Sequence, residues 1–344
     1  MAQTAILIPF ASEVPSASPE ALRYRAASRA DATKRAIEKC WRAFQAWCQP
    51  LGYTPFPCKP DTLEAYLIYL ALQGRKVATI EQYKYAINVR HRLSGLDAPG
   101  DSNVVKIAMA GIKRAHGVHQ RQAAPLTIEH VRSLEFNEGL MGSRDRALLM
   151  TAVCTGLRAS ELMALHMEHL ERTDNGYSLF IPRSKGDQEG EGAHVSLVKA
   201  KAPVEESVGL CCPPTRPGQA ERDNSWPSRT GATHRCPVAA LDAWLDGAEI
   251  RSGPVFLAFQ RHGTLTARGI QTQTFNQIVK CAAARLGFDP WLYSAHSTRA
   301  GCATYLLEHG IALNIVAKHL RHKCADTTLR YDRSATMRAL EGVY

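Results

Sequence analysis

A histidine and an arginine stand three residues apart in the stretch YSAHSTRAGCATYLLEHG, where an apolar pattern with helical spacing begins. Positions three apart lie on one face of an α-helix, so His296 and Arg299 would point in the same direction. A helix N-terminus carries a positive partial charge and attracts anions. The pair therefore predicts an anion-binding site, with ordinary surface polarity as the simpler alternative.

Four further side chains have types that act on phosphates. Arg158 lies in TGLRASEL at the start of a predicted helix, and Lys185 lies at the tip of a predicted hairpin. The segment HLRHKCADTTLRYDR places His322 nine residues before Tyr331. Phosphate chemistry gives the arginines, histidines, lysine and tyrosine one common purpose.

Attack by Tyr331 on a backbone phosphodiester would use this whole set of residues. A tyrosine hydroxyl has an unperturbed pKa of about 10, so it needs help to lose its proton. Two guanidiniums suit the charge that gathers on the phosphate oxygens, a lysine can protonate the departing 5′-oxygen, and the histidines would assist proton transfer or bind the phosphate. The arginines supply the positive charge, so this chemistry requires no metal ion. The phosphotyrosine ester would store the bond energy, so rejoining requires no ATP.

The charge of the chain favours a nucleic-acid partner. The formal net charge is +10, and residues 21–120 hold 16 Lys or Arg against seven Asp or Glu, a balance of +9. A basic amino-terminal third predicts a polyanionic partner, although a merely soluble basic protein has the same balance.

Cysteine usage and hydropathy predict a cytoplasmic protein without a membrane partner. Most of the ten cysteines are scattered singly, and no pair has the spacing of a zinc or redox motif. This usage is typical of reduced thiols. No apolar stretch is long enough to cross a membrane, and the early run AILIPFA lacks the features of a signal peptide.

The elements that must position these groups fall into two predicted domains. Residues 1–17 predict a flexible tail, and residues 18–117 predict a domain of four or five helices. The aromatic residues of WRAFQAW recur at helical spacing, which indicates core rather than base-stacking surfaces. Residues 118–126 are polar, small and interrupted by proline, which is typical of a linker.

The second predicted domain covers residues 127–344. Helices are expected over TIEHVRSLE, SRDRALLMTAVCTG and RASELMALHMEHL, and again from CPVAALDAWL to the end. The segments YSLFIPRSK and AHVSLVKA predict two strands of a hairpin. A stretch at about residues 201–235, rich in Pro, Gly, Ser and charge, predicts a long exposed loop. The predicted fold class is therefore mainly α, with a small β-sheet or hairpin in this domain.

The arginine, lysine, His-x-x-Arg, histidine and tyrosine series, in that order, resembles the tyrosine recombinase (phage integrase) family. The helical segments AFQAWCQ, TIEQYKYAINVRHRLSGL and DSNVVKIAM are similar to the DNA-clamping domain of its Cre-like members. The resemblance runs from about residue 18 to Tyr331. It implies a two-domain fold, a helical core-binding (SAM-like) domain and an α+β catalytic domain, which close around duplex DNA as a clamp.

The resemblance also implies a role for each site residue. Tyr331 would form a 3′-phosphotyrosyl link, and Lys185 would be the general acid toward the 5′-hydroxyl. The remaining positions would bind the scissile phosphate or support it: Arg158 and Arg299 as clamps, His296 and His322 as further site residues, and Glu161 as a supporting partner in the RASEL turn. Neither a metal ion nor a cofactor is implied.

The implied partner is double-stranded DNA with an inverted-repeat target site. A homotetramer would assemble on two synapsed sites and exchange strands through a Holliday junction, from copies that are monomeric or weakly associated off DNA. The expected DNA contacts are Lys34, Arg35, Lys39 and Arg42 for backbone phosphates, Thr79, Gln82 and Tyr83 for the major groove, and Gln271 and Gln273 for a similar role. Ordinary exposed helix faces are the alternative for each of them.

Some features depart from this interpretation or compete with it. Arg321 stands where the family usually has the glycine of a Leu-Gly-His run. One alternative function is a type IB topoisomerase or a telomere resolvase, which would use the same chemistry. A second alternative is a DNA-binding protein or directionality factor that has lost catalysis. His166 and His169 in LHMEH predict a surface helix rather than a metal site, because no further ligands follow at useful spacing.

Overall fold

The computed structural model describes residues 29–119, 121–184, 187, 190–200 and 235–332. Backbone contacts divide the chain into two compact units, Met1–Arg121 and Gln122–Tyr344. The described residues are mainly helical with two small antiparallel sheets, which confirms the predicted fold class. The predicted tail and nearly all of the predicted loop lie outside them. Within these ranges, no helix is both long enough and apolar enough to cross a bilayer.

The described part of the first unit contains the helices α1 (Asp31–Cys48), α2 (Pro60–Leu72), α3 (Val77–Leu93) and α4 (Asn103–His116). Pro60 fits the first turn of α2, where a backbone N–H has no partner within the helix. The helix α1 packs against α3, and α2 packs against α4.

Aromatic side chains on the inner faces of these helices form the core of the first unit. Phe44 is fully buried, and its ring centroid lies 5.8 Å from that of Trp41 and 5.0 Å from that of Tyr66. Trp47 packs against the same cluster. Burying one phenylalanine side chain contributes about 1.5–3 kcal/mol. The aromatic residues at helical spacing therefore belong to the core, as predicted.

The described part of the second unit contains α5 (Ile128–Arg132), α6 (Leu140–Thr155), α7 (Ala159–Met163), β1 (Leu170–Thr173), β2 (Gly176–Ile181), β3 (Ala193–Val198), α8 (Pro237–Gly247), β4 (Leu257–Phe259), β5 (Leu265–Gly269), α9 (Thr272–Arg285), α10 (His296–Glu308), α11 (Leu313–His319) and α12 (Ala325–Leu329). The helix α6 packs against α8 and α10. Trp244 of α8 is fully buried, and its indole N–H donates to Val255 O at 2.8 Å. This core supports α10, which carries the predicted anion-binding pair.

The strands form one sheet in the order β1-β2-β3 and a second sheet from β4 and β5. The strands β2 and β3 are the predicted hairpin, with Ile181 opposite Ala193 and Leu179 opposite Val195. Leu179, Ile181 and Val195 are buried. Alternate residues therefore face the core, as the two-residue period of a strand requires.

The prediction of one helix over RASELMALHMEHL is wrong beyond Met163. A 3-10 turn, Met167–His169, follows α7, and the His166 backbone N–H donates to His169 Nδ1 at 3.2 Å. The next residues form β1, because their backbone pairs with β2. The two histidines thus lie in a turn and not on a surface helix. The prediction of helices from CPVAALDAWL to the end is also wrong, since β4 and β5 pair across residues 257–269.

Two glycines allow neighbouring segments to approach α10 closely. A Cβ atom at Gly301 would lie 1.9 Å from Leu126 O, in the segment whose Leu126 N–H donates to Ser297 O at 2.9 Å. Gly156 ends α6 with a φ of 58°, and a Cβ atom there would lie 2.3 Å from Leu320 Cδ2. These close approaches fix α10 against the segments that complete the site.

Candidate active site

Tyr331 lies beside two histidine side chains. Its Oη is 2.8 Å from His296 Nε2. Its ring stacks on the His322 ring, with 6.0 Å between centroids and an interplanar angle of 12°. The structure thus brings together three of the predicted site residues, two of which are 35 positions apart.

Short elements fix these three side chains. His296 is the first residue of α10. Tyr331 follows α12, and its backbone N–H donates to Thr328 O at 2.9 Å. Thr328 is fully buried, and its Oγ1 lies 2.8 Å from His322 Nδ1. Thr328 therefore joins His322 to the turn that carries Tyr331.

Arg299, the predicted partner of His296, is 2% exposed. Its Nη1 donates to Gly156 O at 2.5 Å, and its Nη2 donates to Leu320 O. A guanidinium has five N–H donors in one plane, so these two bonds fix the plane without using all of its donors. Arg299 thereby ties α10 to the ends of α6 and α11.

Glu161 joins two arginines in a buried ion-pair network. The Arg158 backbone N–H donates to Glu161 Oε2 at 2.9 Å, and Arg158 Nη1 donates to Glu161 Oε1 at 2.6 Å. Arg321 Nη2 donates to the same Oε2 at 2.5 Å. The side chain of Glu161 is 2% exposed and that of Arg158 is 25% exposed. Glu161 therefore holds both arginines, while Arg158 keeps access to solvent.

Arg321 makes a contact that the sequence did not predict. Its φ is 55°, in the left-handed region that glycine enters without steric cost and that costs other residues about 1–2 kcal/mol. In the run HLRHK, Arg321 stands where a Leu-Gly-His run has glycine. Its ion pair with a carboxylate 160 residues earlier is a tertiary contact that no local pattern indicates.

Burial and neighbouring positive charges lower the pKa of the basic groups. Burial, with the charges of Arg158 and Arg321, lowers the pKa of Arg299 to about 10, so Arg299 stays protonated at neutral pH. Burial, with the charges of Arg299 and Arg158, lowers the pKa of His322 to about 4. The same causes lower the pKa of His296, whose side chain keeps solvent access. At pH 7 the site therefore combines neutral histidines with charged arginines.

The Tyr331 hydroxyl is subject to two opposing effects. Burial raises its pKa, and the charges of Arg299 and Arg158 act to lower it. The balance is a raised pKa, so the phenol is protonated at neutral pH. Attack by this oxygen then requires a proton acceptor, and His296 Nε2 is within hydrogen-bond distance of it.

Acidification is expected to destabilise the chain through His322. Its pKa is about 4 in the folded chain and about 6.5 in an unfolded chain, so the unfolded state binds a proton first as the pH falls. The contribution of neutral His322 to the free energy of unfolding is fully present above pH 6.5. It is lost as the pH falls through 4. Solvent screening of this half-buried ring makes about 2 kcal/mol the upper bound of the loss at pH 5.

Thermal unfolding of the full chain at pH 7 and pH 5 measures this loss. The matched variant His322→Gln should lose less stability than the wild type between the two pH values. Equal losses in both proteins would show that His322 is not the residue responsible.

Lys185 lies outside the described residues, but part of the β2–β3 turn around it is described. The Asp187 carboxylate accepts three backbone N–H groups from residues 190–192, at 2.8–3.1 Å. The last of these bonds contributes most to lowering the pKa of Asp187, and the charge of Lys323 contributes a smaller part. Asp187 is therefore within electrostatic reach of Lys323, which lies in the segment that leads to Tyr331.

The predicted DNA-contact residues lie at exposed or half-exposed positions of three helices. They are Lys34, Arg35, Lys39 and Arg42 in α1, Thr79, Gln82 and Tyr83 in α3, and Gln271 and Gln273 at the start of α9. Lys34 and Arg42 form exposed ion pairs with Asp31 and Glu38, both at 2.9 Å, and solvent screens such pairs. The Tyr83 ring packs against the core, 5.7 Å from that of Tyr66. The contacts of all nine residues to DNA stay predictions.

Comparisons with known proteins match both the sequence and the fold. Residues 227–338, which include His296 and Tyr331, match the model of the Phage integrase family. An integrase/recombinase XerD homologue of Selenomonas ruminantium is 31% identical over 310 residues, which cover 88% of this chain and 82% of that protein. Recombinase Cre of Escherichia phage P1 is 35% identical over 152 residues, which cover 42% of this chain and 44% of Cre. The crystal structure of the XerH site-specific recombinase bound to palindromic difH substrate, in a post-cleavage complex, has a TM-score of 0.55 and 19% identity, and the match covers 83% of this chain and 71% of XerH.

Proposed function

The chain belongs to the phage integrase family of tyrosine-type site-specific recombinases, and we propose that it cleaves and rejoins duplex DNA through a 3′-phosphotyrosyl ester on Tyr331. The observation that carries this proposal is the 2.8 Å distance between Tyr331 Oη and His296 Nε2. The charges of Arg299 and Arg158 act on the same phenol. A hydroxyl with a hydrogen-bonded base and positive charge nearby is arranged for nucleophilic attack on a phosphate.

His296 would accept the proton of the Tyr331 hydroxyl. Its lowered pKa keeps the imidazole neutral at pH 7, and in the tautomer with Nε2 unprotonated it accepts the hydrogen bond from Oη. His322 stacks on the ring of Tyr331 and limits its rotation. As the proton leaves, the nearby guanidiniums stabilise the phenolate and the phosphate that it attacks.

Arg158 and Arg299 would bind the non-bridging oxygens of the scissile phosphate. Both guanidiniums are held by protein acceptors, Arg158 by Glu161 and Arg299 by two backbone carbonyls. Donors fixed in advance stabilise a transition state without reorganising during the reaction, and removing one typically costs about 10²–10³ in rate. The two arginines would therefore supply the charge stabilisation for both cleavage and rejoining.

Lys185 is proposed as the general acid that protonates the departing 5′-oxygen. Support comes from its position in the sequence between β2 and β3, two residues before Asp187, on which the charge of Lys323 acts. A lysine side chain has a flexible stem, and its ammonium carries the proton that the 5′-oxygen needs. The 5′-hydroxyl formed in this way can later attack the phosphotyrosyl ester and reseal a strand without ATP.

The proposed assembly is a homotetramer on two synapsed duplexes, each with an inverted-repeat target site, that exchanges strands through a Holliday junction. The complex of XerH with palindromic difH substrate supports a repeated DNA site. A chain that binds each half-site in the same way has two copies on each inverted repeat. The proposed place of action is the cytoplasm of a bacterial host, in a phage- or plasmid-type context.

The first unit would contribute much of the DNA affinity through exposed basic residues of α1. Arg35 and Lys39 are exposed, and each phosphate contact that is removed should lower the salt slope of duplex binding by about 0.9. The double variant Arg35→Ala/Lys39→Ala is therefore expected to weaken binding and to reduce the slope by about 2. Equilibrium binding of the full chain to a labelled duplex at several salt concentrations measures this slope.

A control for these substitutions is the double variant Lys106→Ala/Arg114→Ala, which removes two exposed basic residues of α4. It should reduce the salt slope less than the α1 variant does. Equal reductions would mean that binding follows net charge and not the proposed face of α1.

Covalent capture tests the proposed function. The full chain and its Tyr331→Phe variant are incubated in EDTA with a pool of nicked duplexes that contain randomised segments, and adducts that survive SDS are isolated and sequenced. The wild type alone is expected to form adducts, enriched in one inverted-repeat sequence. Adducts without sequence preference would indicate a topoisomerase activity. Binding of DNA by both proteins without any adduct would contradict the catalytic proposal.

A further inference from the structure

Arg321 is a largely buried arginine at a backbone position suited to glycine. Its φ is 55°, its side chain is 12% exposed, and its Nη2 donates to Glu161 Oε2 at 2.5 Å. Its Nε and Nη1 are buried and have no hydrogen-bond partner among the residues that the structure describes. Backbone conformation and unpaired donors both oppose an arginine here, so fold stability alone does not account for this residue.

Resting on the proposed function, we propose that Arg321 is a positioning residue for strand cleavage, which holds Glu161 so that Glu161 can hold Arg158 toward the scissile phosphate. The three residues form one chain of contacts, from Arg321 Nη2 through the carboxylate to Arg158 Nη1. Arg158 is the most exposed member, at 25%, and it is therefore the member that can reach a phosphate.

The hydrogen bonds of the two Glu161 carboxylate oxygens show why Arg321 affects the orientation of Arg158. Oε1 accepts from Arg158 Nη1, whereas Oε2 accepts from both the Arg158 backbone N–H and Arg321 Nη2. Without Arg321, Oε2 keeps the backbone bond alone, and the carboxylate can turn to form a tighter pair with the Arg158 guanidinium. Arg158 would then be drawn toward Glu161 and away from the direction in which it binds an anion.

Charge balance leads to the same conclusion. Arg158 and Glu161 together carry no net charge, so the carboxylate that orients Arg158 also cancels its attraction for a phosphate. Arg321 restores one positive charge to the network, and its field reaches Arg299 and His322. The network can therefore orient Arg158 rigidly and remain cationic.

The backbone conformation of Arg321 makes a clean substitution available. Arg321→Gly removes the side chain and places at φ 55° the residue that adopts this angle most easily. The variant should therefore fold at least as well as the wild type. Arg321→Lys keeps the charge but replaces the planar fork by a single ammonium, which tests charge separately from geometry.

The test measures single-turnover cleavage of the nicked duplex enriched by covalent capture, together with the Kd for that duplex and the thermal midpoint of each protein. Arg321→Gly is expected to slow cleavage by about 10-fold or more, with the Kd changed by less than about 3-fold and the midpoint equal or higher. Arg321→Lys should recover part of the rate. In a Glu161→Gln background, Arg321→Gly should cause little further loss, because the two residues act in series.

Several results would overturn the inference. Arg321→Gly could cleave at the wild-type rate, or it could weaken DNA binding as much as cleavage, which would make Arg321 a direct DNA ligand. Equal rate losses from Arg321→Gly in the wild-type and Glu161→Gln backgrounds would show that it acts independently of Glu161. Failure of the wild-type chain to form any adduct would instead remove the proposed function, and this inference with it.

Discussion

Replacing Tyr331 by phenylalanine is expected to reduce strand cleavage to background, a loss of at least about 10³-fold, because the substitution removes the attacking atom. The fold should survive. The ring that stacks on His322 is retained, as are the contacts of the ring with the cluster around Leu307 and Leu320. Among the described residues, the hydrogen bond that the substitution removes is the one between Oη and His296 Nε2. The measurement is the yield of SDS-resistant adduct and of recombined product from a duplex that carries the captured site.

A matched control is Tyr305→Phe in α10, which removes a hydroxyl from the same unit at a ring that packs on His309. This variant should retain cleavage. Tyr331→Phe should also bind the duplex with nearly wild-type affinity, so that the defect lies in chemistry and not in recognition. Substantial adduct formation by Tyr331→Phe would mean that another residue is the nucleophile.

Arg299→Lys is expected to have the second largest effect, because Arg299 has both a structural and a chemical role. A lysine cannot donate to Gly156 O and Leu320 O at once while also meeting a phosphate, since its ammonium is a single point on a flexible stem. The loss of a fixed donor should slow cleavage by about 10²–10³. The carbonyl left without its partner should lower the free energy of unfolding by about 1–3 kcal/mol. Single-turnover cleavage and denaturant unfolding measure the two effects.

Arg144→Lys separates these two effects. Arg144 is also buried, at 4% exposure, and its guanidinium pairs with Asp145 at 2.7 Å and donates to Leu257 O. Its replacement should destabilise the same unit by a comparable amount and leave cleavage at temperatures below unfolding nearly unchanged. If Arg144→Lys slowed cleavage as much as Arg299→Lys, the rate loss would follow from instability and not from a lost phosphate contact.

The local sequence indicated which residue types lie together on one helix, but it did not indicate which distant residues they contact. The three-residue spacing of His296 and Arg299 placed both on the first turn of one helix, and the structure has α10 begin at His296. The partner of each side chain lies far away in the chain, however. His296 contacts Tyr331, and Arg299 binds the carbonyl of Gly156, 143 positions earlier. Side-chain type and spacing indicate what a residue can do, whereas packing decides which residues it meets.

The features that the sequence did not predict are the ones set by long-range pairing. The strand β4 has only three residues, and β1 is mostly exposed, so neither shows a clear two-residue pattern of apolar positions. Backbone hydrogen bonds of Leu165 and Met167 with residues 253–255 override the helical pattern of LHMEH. The contact of Arg321 with Glu161 has the same origin, because it joins segments 160 residues apart. In each case the local structure depends on a backbone segment or charged side chain that is distant in the sequence, so the local pattern does not predict it.

The chemical identity of the protein–DNA link decides whether Tyr331 is the nucleophile. The full chain is incubated in EDTA with a duplex that carries the captured site and a nick that lets the cleaved fragment dissociate. The adduct is then digested with protease and nuclease, and its peptides are analysed by mass spectrometry. We expect a nucleotide joined through its 3′-phosphate to Tyr331. A nucleotide on any other residue, or cleavage that leaves no covalent link, would contradict this expectation.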